Sequence, residues 1–508
     1  MPGILKRRST PPILAVSAVA LLVVAFVLLS GGGSQGAAAT GLAGYAPPDS
    51  VAYAEADLRP DGRVASEVDE FVQALTGMSL EEAVTGALGR SEAGAAAGIG
   101  SWPAGPVAIA AGDGREEVGL IAEVADTGAA DDFAGEVRAG EGFPEGARVE
   151  VVGDALVFSR SPAWFDRISG AFEGESLADS SLYREAMEDA PGDSIASLFV
   201  SDSAVLSAAA SADPRLSGLL EAMGIEPRGT ATVVTLSLEG GVASLEVSGG
   251  PAAGRAFAGA DGLIAGFPAD SVLAAGSGDV GESLAALIAA ADGSRGAGDD
   301  ADPAPGGGSG RPGALLEQAS VFGIDLQELA SSLESAGVFV TGSSGGVPEG
   351  ALVATTSDPE LVRDSIESVA ALGGFAGAGL FRPLPTGLEG FSVAIPGMEG
   401  RRVAVAADGD RLTVALGVEA ARQALDPGPR TLGDTDLYRR STSGLSGDGV
   451  SLFAIPAALP APLGRSAGYR HGGEAARKAA VELISSVETV VAGPGRDGGL
   501  EIEIDLAD

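Results

Sequence analysis

The chain has no cysteine, which excludes disulfides, thiolate metal sites and cysteine nucleophiles. It has no asparagine either, so no N-glycosylation sequon exists. Lysine is confined to Lys6 and Lys478, and His471 is the one histidine in 508 residues. A transition-metal site normally draws on several Cys or His ligands, so these shortages argue against one. Scarce Asn, Lys and Cys beside abundant Gly, Ala and Arg suggest a GC-rich coding bias. Positive charge is short overall: 31 Lys and Arg against 70 Asp and Glu leave a net charge of −39. That balance opposes nucleic acid and anionic lipid surfaces, which need cationic side chains to neutralise phosphate. The acids are spread along the chain, as on a solvated acidic surface. Aromatic residues make up 5%, so the cores must lean on Leu, Val, Ile and Ala.

One long apolar run is present. Residues 13–29 carry no charge and follow Lys6, Arg7, Arg8 and the pair Pro11-Pro12. A spanning helix needs about 17–25 such residues. Basic residues before the run and none just after it predict a cytoplasmic N-terminus and an exported body. Ala37-Ala38-Ala39 offers a cleavage site for a signal peptide. The run, however, exceeds the roughly 7–15 apolar residues of a signal core, and that site lies well past its end. An uncleaved anchor is the favoured reading. The expected order is a basic cytoplasmic end (1–12), a transmembrane helix (13–30) and a flexible Gly/Ala/Ser tether (31–44).

The exported body repeats itself. Gly153-Asp154-Ala155-Leu156 recurs as Gly409-Asp410-Arg411-Leu412, and Leu182-Tyr183-Arg184 recurs as Leu437-Tyr438-Arg439. Ser197-Leu198-Phe199 recurs as Ser451-Leu452-Phe453. Pro47-Pro48-Asp49-Ser50 and Pro268-Ala269-Asp270-Ser271 each feed a β-prone run. Gly77-Met78-Ser79-Leu80 parallels Gly323-Ile324-Asp325-Leu326, with Ser79 and Asp325 placed as helix N-caps. Each copy closes on an alternating strand after Gly240-Gly241 or Gly498-Gly499. A repeat of this length fixes the units before any motif is weighed. The units expected are 45–250 and 266–508, joined by a connector at 251–265. The second carries a disordered insertion at 294–313, rich in Asp, Pro and Gly.

Within each unit, strands (118–124; 351–356) precede helices (129–137; 360–369). Hairpins through Gly153-Asp154 and Gly409-Asp410 precede further helices (162–172; 418–425). Adjacent hairpins argue for antiparallel pairing. The expected fold is α+β: two tandem homologous units, each a mainly antiparallel sheet with helices on one face, after one N-terminal transmembrane helix.

The Pro-x-Asp-Ser start at 47–50, the helix start at Gly77, the hairpin at Gly153-Asp154 and the Leu177 to Tyr183 segment resemble a bacterial family, domain of unknown function 3352. The N-terminal anchor and the Ala/Gly/Asp-rich composition fit it too. The resemblance covers most of the exported body. It implies a membrane-associated bacterial protein with its body outside, and no agreed activity, cofactor or catalytic residue.

Candidate chemistry is thin. Gly276-Ser277-Gly278-Asp279-Val280-Gly281 fits a dinucleotide loop, but copy one has no glycines there and Asp299 and Asp300 lie in the insertion. Gly342-Ser343-Ser344-Gly345-Gly346 fits a nucleophile elbow, yet a turn follows it, and Gly32-Gly33-Ser34-Gln35-Gly36 in the tether fits equally well. His471 has no counterpart in copy one and reads as a surface or structural residue. Asp131-Asp132 and the Asp299 to Asp302 cluster supply oxygen ligands without EF-hand spacing. Tyr183 and Tyr438, each beside an Arg, read as half-buried tyrosines with solvated neighbours. No catalytic, cofactor-binding or metal residue is assigned, and no cofactor is expected.

The expectation is therefore a membrane-anchored extracytoplasmic binding or envelope scaffold without enzymatic activity. Its partners would be the membrane, through the N-terminal helix, and an unknown ligand or envelope protein. An envelope hydrolase using carboxylates and an apolar-ligand or lipid carrier are the alternatives. The hydrolase would need clustered acids with perturbed pKa values.

Overall fold

In a computed structural model, the described residues are 41–57, 103–204, 229–249, 260–285, 325–342, 349–375, 381–394, 401–459, 486–495 and 499–506, apart from interruptions of one to three positions. The first half supplies β1 (Ala52–Asp57), β2 (Pro103–Ala111), β3 (Val118–Val124), α1 (Thr127–Ala139), β4 (Arg148–Val152) and β5 (Ala155–Ser159). It continues with α2 (Pro162–Glu173), α3 (Ser181–Met187), β6 (Ala196–Ser201), β7 (Ala231–Glu239) and β8 (Val242–Gly249). The second half runs α4 (Asp261–Ala265), β9 (Ser271–Gly278), α5 (Leu326–Ser331), β10 (Leu333–Thr341), β11 (Glu349–Thr356) and α6 (Pro359–Phe375). There follow β12 (Phe381–Pro383), β13 (Glu389–Ala394), β14 (Arg402–Asp408), β15 (Arg411–Leu416), α7 (Val418–Leu425) and α8 (Asp436–Thr442). The last strands are β16 (Leu452–Ala454), β17 (Val487–Pro494) and β18 (Leu500–Leu506).

Every pairing among the described strands is antiparallel. The first half orders them β4-β5-β3-β2-β1-β6-β7-β8. The second orders them β14-β15-β11-β10-β9-β16-β17-β18, with β13 and β12 added outside β14. The order is the same strand for strand. The two closing strands then pair with each other, Ala243 opposite Ile504 and Leu245 opposite Ile502. The result, among the described residues, is one continuous sheet of 18 strands.

This corrects the expected fold. Two units with separate sheets are overturned by the β8–β18 pairing. The join runs through main-chain N–H and C=O groups, which carry no side-chain signature, so the sequence shows two strand ends and not their contact. Helices on one face are overturned as well. Trp164, Phe165 and Ile168 of α2 and Tyr183 of α3 pack with Tyr53, Ala108, Ile121, Val157 and Phe199. Ala130 and Ala134 of α1 pack with Val107, Ala122 and Leu156, which point the other way from the same strands. In the second half, α7 covers the face of Phe339, Val353 and Ala415, whereas Val362 and Ile366 of α6 meet Phe391 and Ala407 on the opposite face. Helical periodicity marks the buried stripe of a helix, and not the side of the sheet that stripe meets. No helix among the described residues is long and apolar enough to cross a membrane; the run at 13–30 lies outside them, as do Ser79 and the insertion at 294–313.

Local chemistry sets the elements. Ser161 caps α2, its Oγ accepting from Trp164 N–H, with Pro162 in the first turn. Asp325 caps α5 by accepting from the N–H groups of Gln327 and Glu328. Capping boxes recur at Ser176 with Asp179 and at Thr431 with Asp434, just before α3 and α8. The aromatic core positions are exchanged between halves. Tyr53 lies opposite Ala110 on β1 and β2, while Ala274 lies opposite Phe339 on β9 and β10. One large and one small residue fill each place, so volume is kept.

Both hairpin glycines have left-handed backbones, φ +58 at Gly153 and +57 at Gly409. At the first hairpin, Tyr45 Oη accepts from Asp154 N–H at 3.1 Å and its ring stacks on Phe172 at 4.7 Å. A methyl group on Gly153 would run into both side chains, whereas one on Gly409 meets nothing within 4 Å. Alanine costs about 1–2 kcal/mol at either position for the backbone alone. Chemical denaturation should show Gly153→Ala losing at least ~1 kcal/mol more than Gly409→Ala. Equal losses would contradict this packing.

Candidate functional site

The side of the sheet covered by α2, α3 and α7 carries a polar band between its two apolar cores. Pairing registers align it. Glu55 on β1 lies opposite Ser197 on β6, Ser197 opposite Thr235 on β7, Thr235 opposite Glu246 on β8, and Glu246 opposite Glu501 on β18. Two residues along, Ser244 lies opposite Glu503. Antiparallel partners share a face, so acidic and hydroxyl groups form a row that ends at the joint between the halves.

At one end, Glu55 is 2% exposed. Its Oε2 accepts from Tyr53 Oη at 2.5 Å, while its Oε1 has no partner. Tyr183 Oη is also buried and unpartnered. The Tyr183 ring stands edge-on to Tyr53 at 5.8 Å and packs against Phe199 at 5.3 Å. Burial is the main force lifting the Glu55 carboxyl to about 8; the Tyr53 hydrogen bond opposes it, and the charges of Asp57 and Glu123 add to it. Burial likewise pushes both tyrosines up, that of Tyr53 far above its ordinary value. The cluster can hold a proton near neutral pH.

At the other end, Glu501 Oε2 accepts from the N–H and Oγ of Ser446 at 2.7 and 2.5 Å. Asp505 accepts from Thr489 Oγ1 at 2.5 Å, and Thr489 is linked to Ser441 at 2.7 Å. Glu503, between these two acids, is 8% exposed. Burial first, and then Glu501 and Asp505, lift its carboxyl to about 7.

The residues weighed in the sequence fall elsewhere. Gly276 and Gly278 lie inside β9, which pairs antiparallel with both neighbours, whereas a dinucleotide loop needs a parallel βαβ unit. A methyl group on Gly281 would collide with the carbonyl oxygens of Leu333 and Ala330, so the chain packs on itself there. Ser344 is outside the described residues, between the antiparallel strands β10 and β11 in the chain. An elbow leads into a helix instead. His471 and the Asp299 to Asp302 cluster are also outside the described residues, and Asp131 and Asp132 are exposed on α1.

Tyr183 and Tyr438 are buried rather than half-buried, and each packs on a phenylalanine at 5.3 Å. Arg184 and Arg439 lie outside them and donate to the carbonyls of Asp179 and Gly433. Glu55 and Glu503 were passed over in the sequence. Parity marks Glu55: it stands two residues after Tyr53 and shares its core-facing side. In the second half that place belongs to Gly276, which packs against Ala260 and Ile264.

The other side of the sheet has matching apolar rows. Leu120 is flanked by Ile109 and Phe158, and Leu352 by Val338 and Val414. Leu120, Val338, Leu352 and Val414 are exposed. No family model, curated protein or solved structure matches the chain.

The sign of the Glu55 effect follows from its displacement. A carboxyl raised from 4.5 to about 8 contributes stability below its unfolded value and loses it as pH rises through the folded one. Glu55→Gln removes the titration and keeps a polar head group. Melting curves should show the variant close to wild type at pH 5 and more stable at pH 9, by on the order of a few kcal/mol. A parallel pH dependence in the two proteins would contradict a titrating Glu55.

Proposed function

We propose that the chain is a membrane-anchored extracytoplasmic protein, built by internal duplication, that acts as a binding or envelope scaffold and not as an enzyme. The carrying observation is the shared strand order of the two halves, with capping boxes and buried tyrosines at corresponding places. What recurs is a frame. The reactive-looking group Glu55 occurs once, and its counterpart is Gly276. Matching apolar rows on both halves support a contact surface. The apolar run after Lys6, Arg7 and Arg8 supports a single-pass anchor with a cytoplasmic N-terminus.

The carboxylate hydrolase has weaker support. Among the described residues, the two carboxyl groups raised towards neutrality, Glu55 and Glu503, sit on β1 and β18, four strand spacings apart. That is about 19 Å at the usual spacing, against roughly 5–10 Å for a glycosidase pair.

The full chain in bacterial membranes should resist alkaline extraction, and protease added outside intact cells should digest its body. Release by alkali, or full protection from protease, would overturn the anchored topology. The detergent-purified chain should show no turnover on a broad hydrolase panel. Robust turnover abolished by Glu501→Gln or Glu55→Gln would overturn the scaffold reading.

A further inference from the structure

We propose that the β8–β18 joint is a proton-controlled latch: the two halves stay paired while Glu503 is protonated, and the pairing loosens when it ionises. Among the described residues β8–β18 is the one strand pairing between the halves. Glu503 stands in the middle of it, opposite Ser244.

Among the described residues, the groups that face Glu503 are acidic or neutral. Its own strand offers Glu501 and Asp505, and β8 offers Ser244 and Glu246. β17 presents Thr489, Val491 and Gly493. The segment from α8 onwards contributes Ser441 and Gly444, whose backbone lies so close to the Glu503 carboxyl that a methyl group there would collide with it. The two arginines of α8 pair with other acids, Arg440 with Glu488 at 3.6 Å and Arg439 with Asp434 at 3.5 Å.

The carboxyl oxygens of Glu501 and Asp505 accept from hydroxyl and N–H donors. Among the described residues Glu503 has no such donor. Its ionisation adds a negative charge, at the most buried position of β18, beside the carboxyl groups of Glu501, Asp505 and Glu246, where opening to water is the available relief. Among the described residues no three acidic side chains stand close enough to hold a metal ion together. A proton is the ligand these groups are arranged to take.

The direction follows from the raised carboxyl. The joint is strongest below the ordinary value of 4.5, weakens as pH rises, and has lost the whole contribution just above about 7. Hydrogen exchange on the detergent-solubilised full chain tests this, with protection of β8 and β18 amides expressed relative to β3 and β5 and corrected for intrinsic rates. In wild type the ratio should fall by up to about tenfold per pH unit between about pH 5 and 7, then level off. In Glu503→Gln it should stay flat. A flat wild-type ratio, or the same fall in Glu503→Gln, overturns the latch. If Glu503→Gln does not fold, infrared spectra of Glu55→Gln decide. A buried protonated-carboxyl band present at pH 6 and gone by pH 8.5 supports the latch, and no such band at pH 6 overturns it.

Discussion

The structure depends on a main-chain contact, the antiparallel pairing of β8 with β18. Each half ends on a strand whose outer N–H and C=O groups need partners, and an exposed edge of that kind invites association. Here each edge satisfies the other. Because the halves share a strand order, corresponding edges meet, and the pairing is the kind a two-fold relation produces. Two sheets become one, and side chains from both halves are set side by side across the joint.

That alignment explains where the unusual chemistry lies. Away from the joint, alternation gives apolar cores on both faces, with α2, α3 and α7 on one and α1 and α6 on the other. Along the inner strands the core-facing parity carries Glu55, Ser197, Thr235, Glu246 and Glu501. Carboxyl groups so placed are hard to ionise unless donors hold them. Hydroxyl donors reach Glu501 and Asp505, whereas one oxygen of Glu55 has no partner and, among the described residues, no donor reaches Glu503. A frame this regular can tolerate a few such groups, and they place one pH response on β1, at Glu55, and another at the line where the halves meet, at Glu503.

Local features were legible in the sequence because they rest on local rules. The Gly153 and Gly409 turns, the Asp325 cap and helices α2 and α7 stand where turn chemistry and periodicity put them. The edge-to-edge joint was not legible, since hydrogen bonding between backbones leaves no residue pattern. The face chosen by each helix was not legible either, because Ala122 and Ile121 are both buried and give no preference. Glu55 was readable from its parity with Tyr53. Glu503 was not, because Leu500 to Leu506 alternates like a half-solvated edge strand, and its burial comes from β8, β17 and the segment after α8.

The chain's lack of cysteine allows a direct test of the joint. Leu245→Cys combined with Ile502→Cys places two thiols at directly opposed positions on β8 and β18. Leu245→Cys with Leu506→Cys keeps the same face but displaces one thiol by four residues, about 13 Å along the strand and beyond disulfide reach. Under mild oxidation of the full chain, the opposed pair should close an intramolecular disulfide quickly and the displaced pair should not. Equal cross-linking of the two pairs, or cross-linking of the opposed pair only between separate chains, would contradict a continuous sheet joined within one molecule.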